Sequence, residues 1–105
     1  MWRNDGPRIS ANPLRELFDA CAQGYSLKFL CPGCSRLRIF RPHAVWHHFR
    51  RHGWSEELRH VARHFRCSLC RRRGPDMELV REEPNDHSLP MPGEDVWKRE
   101  LRRRR

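Results

Sequence analysis

YSLKFLCPGCSRLRIFR, residues 25–41, reads as two short strands joined by a turn that carries two cysteines. Before the turn, Tyr25, Leu27, Phe29 and Cys31 alternate with Ser26 and Lys28. After it, Leu37 and Ile39 alternate with Arg36 and Arg38. Period-two alternation on both sides of a Pro-Gly turn predicts a hairpin with the CPGC pair (31–34) at its tip, Leu37 and Ile39 on one face of its second strand and Arg36 and Arg38 on the other.

A second pair lies further on, in FRCSLCRRR, residues 65–73. Guanidinium groups beside a thiol favour the thiolate, so Cys67 and Cys70 left free would be reactive and easily oxidised. The two pairs together spell C-x2-C-x32-C-x2-C. Two-residue spacing lets a tight turn aim both sulfurs at one ion, and two such turns complete a closed tetrahedral site. Cys31, Cys34, Cys67 and Cys70 are therefore the expected ligands of one structural zinc ion. Such a site carries a formal charge of −2, which Lys28, Arg36, Arg66 and Arg71 stand close in sequence to offset. Cys31, Cys34, His47 and His52 form a competing set with the spacing of a two-cysteine, two-histidine finger. That set puts Arg38 and Ala44 where a finger needs apolar anchors, and it leaves Cys67 and Cys70 without a role.

Between the pairs, Pro42 opens a helix with Val45, Trp46 and Phe49 on its apolar side, and Gly53 stops it. Ser55 is the expected cap of a second helix with Leu58, Val61, Ala62 and Phe65 at i, i+3, i+4 and i+7. Upstream, Asn12-Pro13 reads as the start of an N-terminal helix whose face is Leu14, Leu17, Phe18 and Cys21, ended by Gly24. A last strand is expected over Met77–Arg81. The fold class is thus small α+β, a zinc ribbon of two CxxC-bearing hairpin tips with a two-helix insertion and an N-terminal helix. Residues 1–12 are expected to be disordered, 13–81 to form the domain, and the polar, Pro-rich 82–105 to be mostly disordered. Val96, Trp97 and Leu101 would line a short terminal helix too short to stand alone.

Strand-CxxC-strand, two helices, then RHFRCSLC and a short strand resembles small zinc-ribbon proteins of alphaproteobacteria, in which an R-[LF]-R-C-S-x-C element ends the second helix. The resemblance spans about residues 25–84 and implies a zinc ribbon without implying a function. The glycine that often follows each pair in that group is Ser35 and Arg71 here. A left-handed backbone at those positions would be strained.

The 105 residues carry a formal net charge of +9. Residues 28–73 hold twelve basic and two acidic side chains, whereas the flanking segments are close to neutral. A polyanion would accordingly meet the segment bounded by the cysteine pairs. Arg36, Arg38, Arg41, Arg50, Arg51, Arg71, Arg72 and Arg73 are the candidate nucleic-acid contacts, with Trp46 and Trp54 available for stacking or for the core. DNA or RNA bound in a regulatory, non-catalytic role is the first expectation, and an adaptor for an acidic protein partner, with Trp97 in a tail that folds on contact, is the second. A third, thiol–disulfide exchange, starts from the likeness of CPGC to the CPxC of glutaredoxin-type enzymes, where the motif opens a helix. No serine–histidine–aspartate set, phosphate-cradling glycine loop or paired carboxylates stand out. The start lacks an apolar signal segment and no stretch approaches the ~20 apolar residues of a membrane span. Five cysteines in a chain expected to be cytoplasmic point to metal or catalysis rather than to structural disulfides.

Overall fold

A computed structural model describes residues 14–67 and 69–104. The elements run α1 (Leu17–Gln23), β1 (Ser26–Leu30), β2 (Leu37–Phe40), α2 (Pro42–His52), α3 (Leu58–Val61) with a 3-10 turn Ala62–His64, β3 (Asp76–Val80) and α4 (Glu94–Arg103). The strands form one antiparallel sheet in the order β2-β1-β3. The α+β class is as expected. Asn12, Pro13 and the proposed disorder of residues 1–12 lie outside the described residues.

Both helix stops are where glycine's freedom at positive φ puts them. Gly24 (φ 76°) ends α1 and Gly53 (φ 69°) ends α2. α1 begins at Leu17, and Asp19 Oδ2 accepts the N–H groups of Arg15 and Glu16 at 2.9 Å. α3 is shorter than its period suggested. Its cap is Glu57 rather than Ser55, and it tightens to a 3-10 turn before Phe65. Leu17 N donates to Glu56 O and Leu58 N to Arg15 O, which ties the starts of α1 and α3 together.

One apolar core joins the sheet to the helices. Leu17, Leu27, Phe29, Phe40, Val45, Trp46, Phe49, Leu58 and Val61 are buried in it. Phe29 and Phe65 stack at 4.2 Å, with Phe40 at 5.5 Å from Phe65. In β2, Leu37 and Ile39 share one face and Arg38 takes the other, as the alternation reads, and the register shows which face meets the core. Leu27 pairs with Phe40 and Phe29 with Arg38, and directly opposed residues share a face of the sheet. Phe40, 1% exposed, therefore fills the core, while Leu37 on the opposite face stays 40% exposed. Leu37, Ile39 and Phe40 offer two competing alternations, and the larger ring meets the Phe29–Phe65 stack.

The segment after residue 81 also differs from the expected, mostly disordered tail. Asn85 Oδ1 accepts from Ile39 N at 2.8 Å, and the N–H groups of Asn85 and Asp86 donate to Ile39 O. That closes the outer edge of β2. α4 then lays Trp97 against Phe18, His43 and Trp46 at 5.4, 4.4 and 5.1 Å. Glu100, 4% exposed, accepts from Arg50, Arg103 and Arg104. The short helix is stabilised by this docking rather than by its own hydrogen bonds. Its rotation also differs: Glu100 faces inward and Leu101 is exposed.

Candidate metal centre

Each cysteine pair occupies a turn with the same backbone wiring. Cys31 N donates to Arg36 O at 3.0 Å and Ser35 N to Cys31 O at 2.8 Å. In the second turn, Cys67 N donates to Arg72 O and Arg71 N to Cys67 O, both at 2.9 Å. The fifth residue of each turn has a left-handed backbone, Ser35 at φ 62° and Arg71 at φ 65°. These are the strained positions the missing glycines foretold. The first turn joins β1 to β2. The second is flanked by a single bridge, Arg66 to Arg73, with Gly74 N donating to Phe65 O, and β3 pairs with β1 instead. The second tip is thus a turn without two flanking strands, because Gly74 and Pro75 redirect the chain before β3 starts.

The sulfur ligation shell repeats the same symmetry. N–H groups of Gly33 and Cys34 point at Cys31, and those of Leu69 and Cys70 point at Cys67. One further N–H, from Arg36 or Arg72, points at each second cysteine. All four sulfurs lie within 4.8 Å of one another. Cys31 Sγ is 3.4 Å from Cys70 Sγ, and Cys34 Sγ is 3.3 Å from Cys67 Sγ. A tetrahedral ion with metal–sulfur bonds of about 2.3 Å sets its sulfurs about 3.8 Å apart. The cage brackets that spacing and could hold a metal ion.

The protonation pattern fits a site that gives up protons to a cation. The amides of Cys70 and Leu69 hold Cys67 down at about 6, whereas Cys34, sharing a proton with Cys67, is pushed up to about 12. Burial opposes ionisation of Cys31, but the amides of Cys34 and Gly33 and the Cys70 thiol outweigh it and lower its pKa. The Arg72 amide works against the rise at Cys70, and the Cys31 thiolate drives it. Within each close pair one thiol is lowered and the other raised, Cys31 against Cys70 and Cys67 against Cys34. A dication would supply the field that removes the remaining thiol protons.

No family model, curated protein or solved structure matches the chain. The site is therefore argued from its own geometry. The two-cysteine, two-histidine set does not assemble: the metal-competent group among the described residues is Cys31, Cys34, Cys67 and Cys70. His52 stacks on Trp54 at 4.5 Å instead. Cys21 is buried in the core, and burial pushes its thiol up to about 12.

The candidate arginines fall into different roles. Arg38 Nε donates to Asp86 Oδ2 at 2.7 Å, and its guanidinium lies 5.0 Å from the Phe40 ring. Arg50 reaches Glu100 at 3.0 Å and Glu56 at 3.9 Å and sits over Trp46. Both are held by carboxylates that the sequence reading assigned to a solvated tail or a helix start. Arg72 leans over the first turn, since a Cβ on Gly33 would meet Arg72 Cδ and Cys70 Sγ at 3.4 Å each. Lys28, expected near the thiolates, bonds Glu82 at 3.3 Å on the outer face. Arg36 lines a recess of about 20 Å³ between the turns with Phe29, Phe65, Arg66 and Pro75. Arg41, Arg51, Arg71 and Arg73 are exposed, and no carboxylate of the described residues pairs with them. Trp46 is buried in the core. Asp86 and Glu100 were missed in the sequence because charged residues in a polar segment carry no burial signal.

Proposed function

We propose that Cys31, Cys34, Cys67 and Cys70 hold one structural zinc ion in a ribbon-like frame, and that the chain binds nucleic acid non-catalytically through arginines displayed on that frame. Four thiolates with no open position suit zinc, which has no preference among soft tetrahedral geometries and supplies folding free energy. The observation that carries the nucleic-acid reading is the set of exposed arginines without carboxylate partners among the described residues, two of them, Arg71 and Arg73, on the second turn. Guanidinium groups fixed by a rigid turn lose little freedom when they fork onto phosphate.

The thiol–disulfide reading is poorly supported. CPGC forms the β1–β2 turn and opens no helix. The sulfurs with lowered pKa, Cys31 and Cys67, are 4% and 5% exposed, and the accessible Cys34 and Cys70 have raised pKa. A disulfide-exchange nucleophile needs the opposite pairing of exposure and acidity. The adaptor reading loses the tail residue it relied on, because Trp97 packs against Trp46. No helix among the described residues is long and apolar enough to cross a membrane.

The test is binding of the zinc-loaded chain to single- and double-stranded oligonucleotides across a salt series. Four phosphate contacts predict a loss of roughly 100-fold in affinity between about 50 and 200 mM salt. Arg71→Gln and Arg73→Gln should each lower the salt slope by about one, with the fold intact. Affinity that ignores salt, or no binding beside a nuclease-resistant acidic protein partner, overturns the proposal.

A further inference from the structure

Trp54 is the centre of a band of imidazoles that the arginine set leaves unexplained. His52 stacks on its ring at 4.5 Å, and His64 stacks at 4.2 Å with planes 11° apart. His48 meets the indole edge-on at 5.5 Å and lies 4.5 Å from His52. The band starts on α2, crosses the α2–α3 connection and ends beside the second cysteine turn.

Glu56 and Glu57 border Trp54 but are paired with Arg50 and Arg59, and the charges that act on His48 and His64 themselves are positive. Arg51, His52 and His47 act on His48 from its own helix. Arg63 and His60 act on His64 from the α3 segment, and Arg73 acts on it from the second turn. Burial is the first cause that lowers the pKa of both imidazoles, and these cations are the second. Arg51, Arg63 and Arg73 around His48 and His64 make a surface whose electrostatics improve when an anion arrives. An imidazolium stacked on indole also gains a cation–π attraction that the neutral ring lacks.

We propose that this band is the proton-linked part of the nucleic-acid surface, with the phosphate backbone crossing Arg51, Arg63 and Arg73 while His48 and His64 take up protons. The inference rests on the nucleic-acid reading above and goes beyond it by naming the track and its regulation by pH. The sign follows from linkage. In the free chain both groups titrate below the ordinary histidine value of about 6.5, so they are neutral at pH 7.5. A polyanion cancels the neighbouring positive charge and raises them, so binding takes up protons and tightens as pH falls. A rise of one pKa unit at one histidine is worth up to a tenfold gain in affinity, approached as pH falls below the free-chain pKa.

The experiment is calorimetric titration of the zinc-loaded full chain with a short oligonucleotide in buffers of different ionisation heat, repeated from about pH 8 to pH 6. Uptake of about one to two protons per complex is expected, with affinity rising at least about tenfold across that range. His48→Gln with His64→Gln should abolish the uptake and leave the salt slope unchanged. Tight, salt-sensitive binding without proton uptake overturns this inference and leaves the nucleic-acid reading standing. No binding at any pH overturns both. Should the double variant unfold, imidazole titration by NMR on the native chain decides, because pKa values of His48 and His64 that the oligonucleotide does not move refute the linkage.

Discussion

Glu100→Gln removes one charge from the position that locks α4 to the domain. The carboxylate is 4% exposed and accepts from Arg103 Nη2 at 2.7 Å, from Arg50 Nη2 at 3.0 Å and from Arg104. Burial raises its pKa, but Arg104, Arg103 and Arg50 outweigh that and bring it down to about 2, against an ordinary 4.5. A difference of that size corresponds to about 3 kcal/mol at most. The three guanidinium groups are 29–58% exposed, so solvent screening reduces the figure to about 2 kcal/mol. The loss falls on α4 docking first, because the rest of the core does not pass through Glu100. Backbone amides of residues 94–104 should therefore exchange with deuterium about 30-fold faster in Glu100→Gln than in the native chain. The pH sign is also fixed. A depressed carboxylate contributes its full stability above the unfolded value near 4.5 and loses it as pH falls toward 2, so the difference between variant and native chain stays flat from about pH 5.5 to 8. Exchange within about twofold of native, or a difference that grows between pH 6 and 8, refutes the docking account.

Cys67→Ser should lose its stoichiometric zinc and unfold at neutral pH, whereas His47→Ala should keep both metal and fold; metal analysis with circular dichroism reads the pair, and the reverse result overturns the four-cysteine assignment. Ser35→Gly relieves a left-handed backbone at φ 62° and should raise stability in urea by about 0.5–1 kcal/mol at saturating zinc, with no change in metal stoichiometry. A destabilised Ser35→Gly would mean that the turn needs the serine side chain more than it suffers from the strain.

The features legible in the sequence are those fixed within a few residues. Gly24 and Gly53 end helices because the stop needs a positive φ, and the cysteine spacing needs only one turn to bring two sulfurs together. The missed features depend on partners far along the chain. Arg38 looked solvent-facing until Asp86, 48 residues later, took its guanidinium. Trp97 looked like a lone aromatic in a polar tail until Phe18, His43 and Trp46 surrounded it. The facing of β2 was ambiguous for a different reason. Leu37, Ile39 and Phe40 are all apolar, so alternation alone cannot choose between a register led by Ile39 and one led by Phe40. The aromatic stack with Phe29 and Phe65 makes that choice.

The same tertiary contacts reorganise the basic surface. Read along the chain, the arginines after CPGC make one stripe, with Arg36, Arg38 and Arg41 spaced along a strand. In the fold the stripe breaks up. Arg38 is paired with Asp86, and Arg36 and Arg41 stand at opposite ends of β2, about 16 Å apart at strand spacing. Arg50 belongs to Glu100, and Arg72 covers the first cysteine turn. Continuity survives elsewhere, from Arg71 and Arg73 through His64, Trp54 and His52 to Arg51 at the end of α2. A metal ion held by the four cysteines would matter to that track because it would fix the turn that carries Arg71 and Arg73, at one end, to the sheet that carries the core. Loss of the metal would therefore separate the two ends of the surface before it altered any single arginine, and the charge count of the chain would not reveal the change.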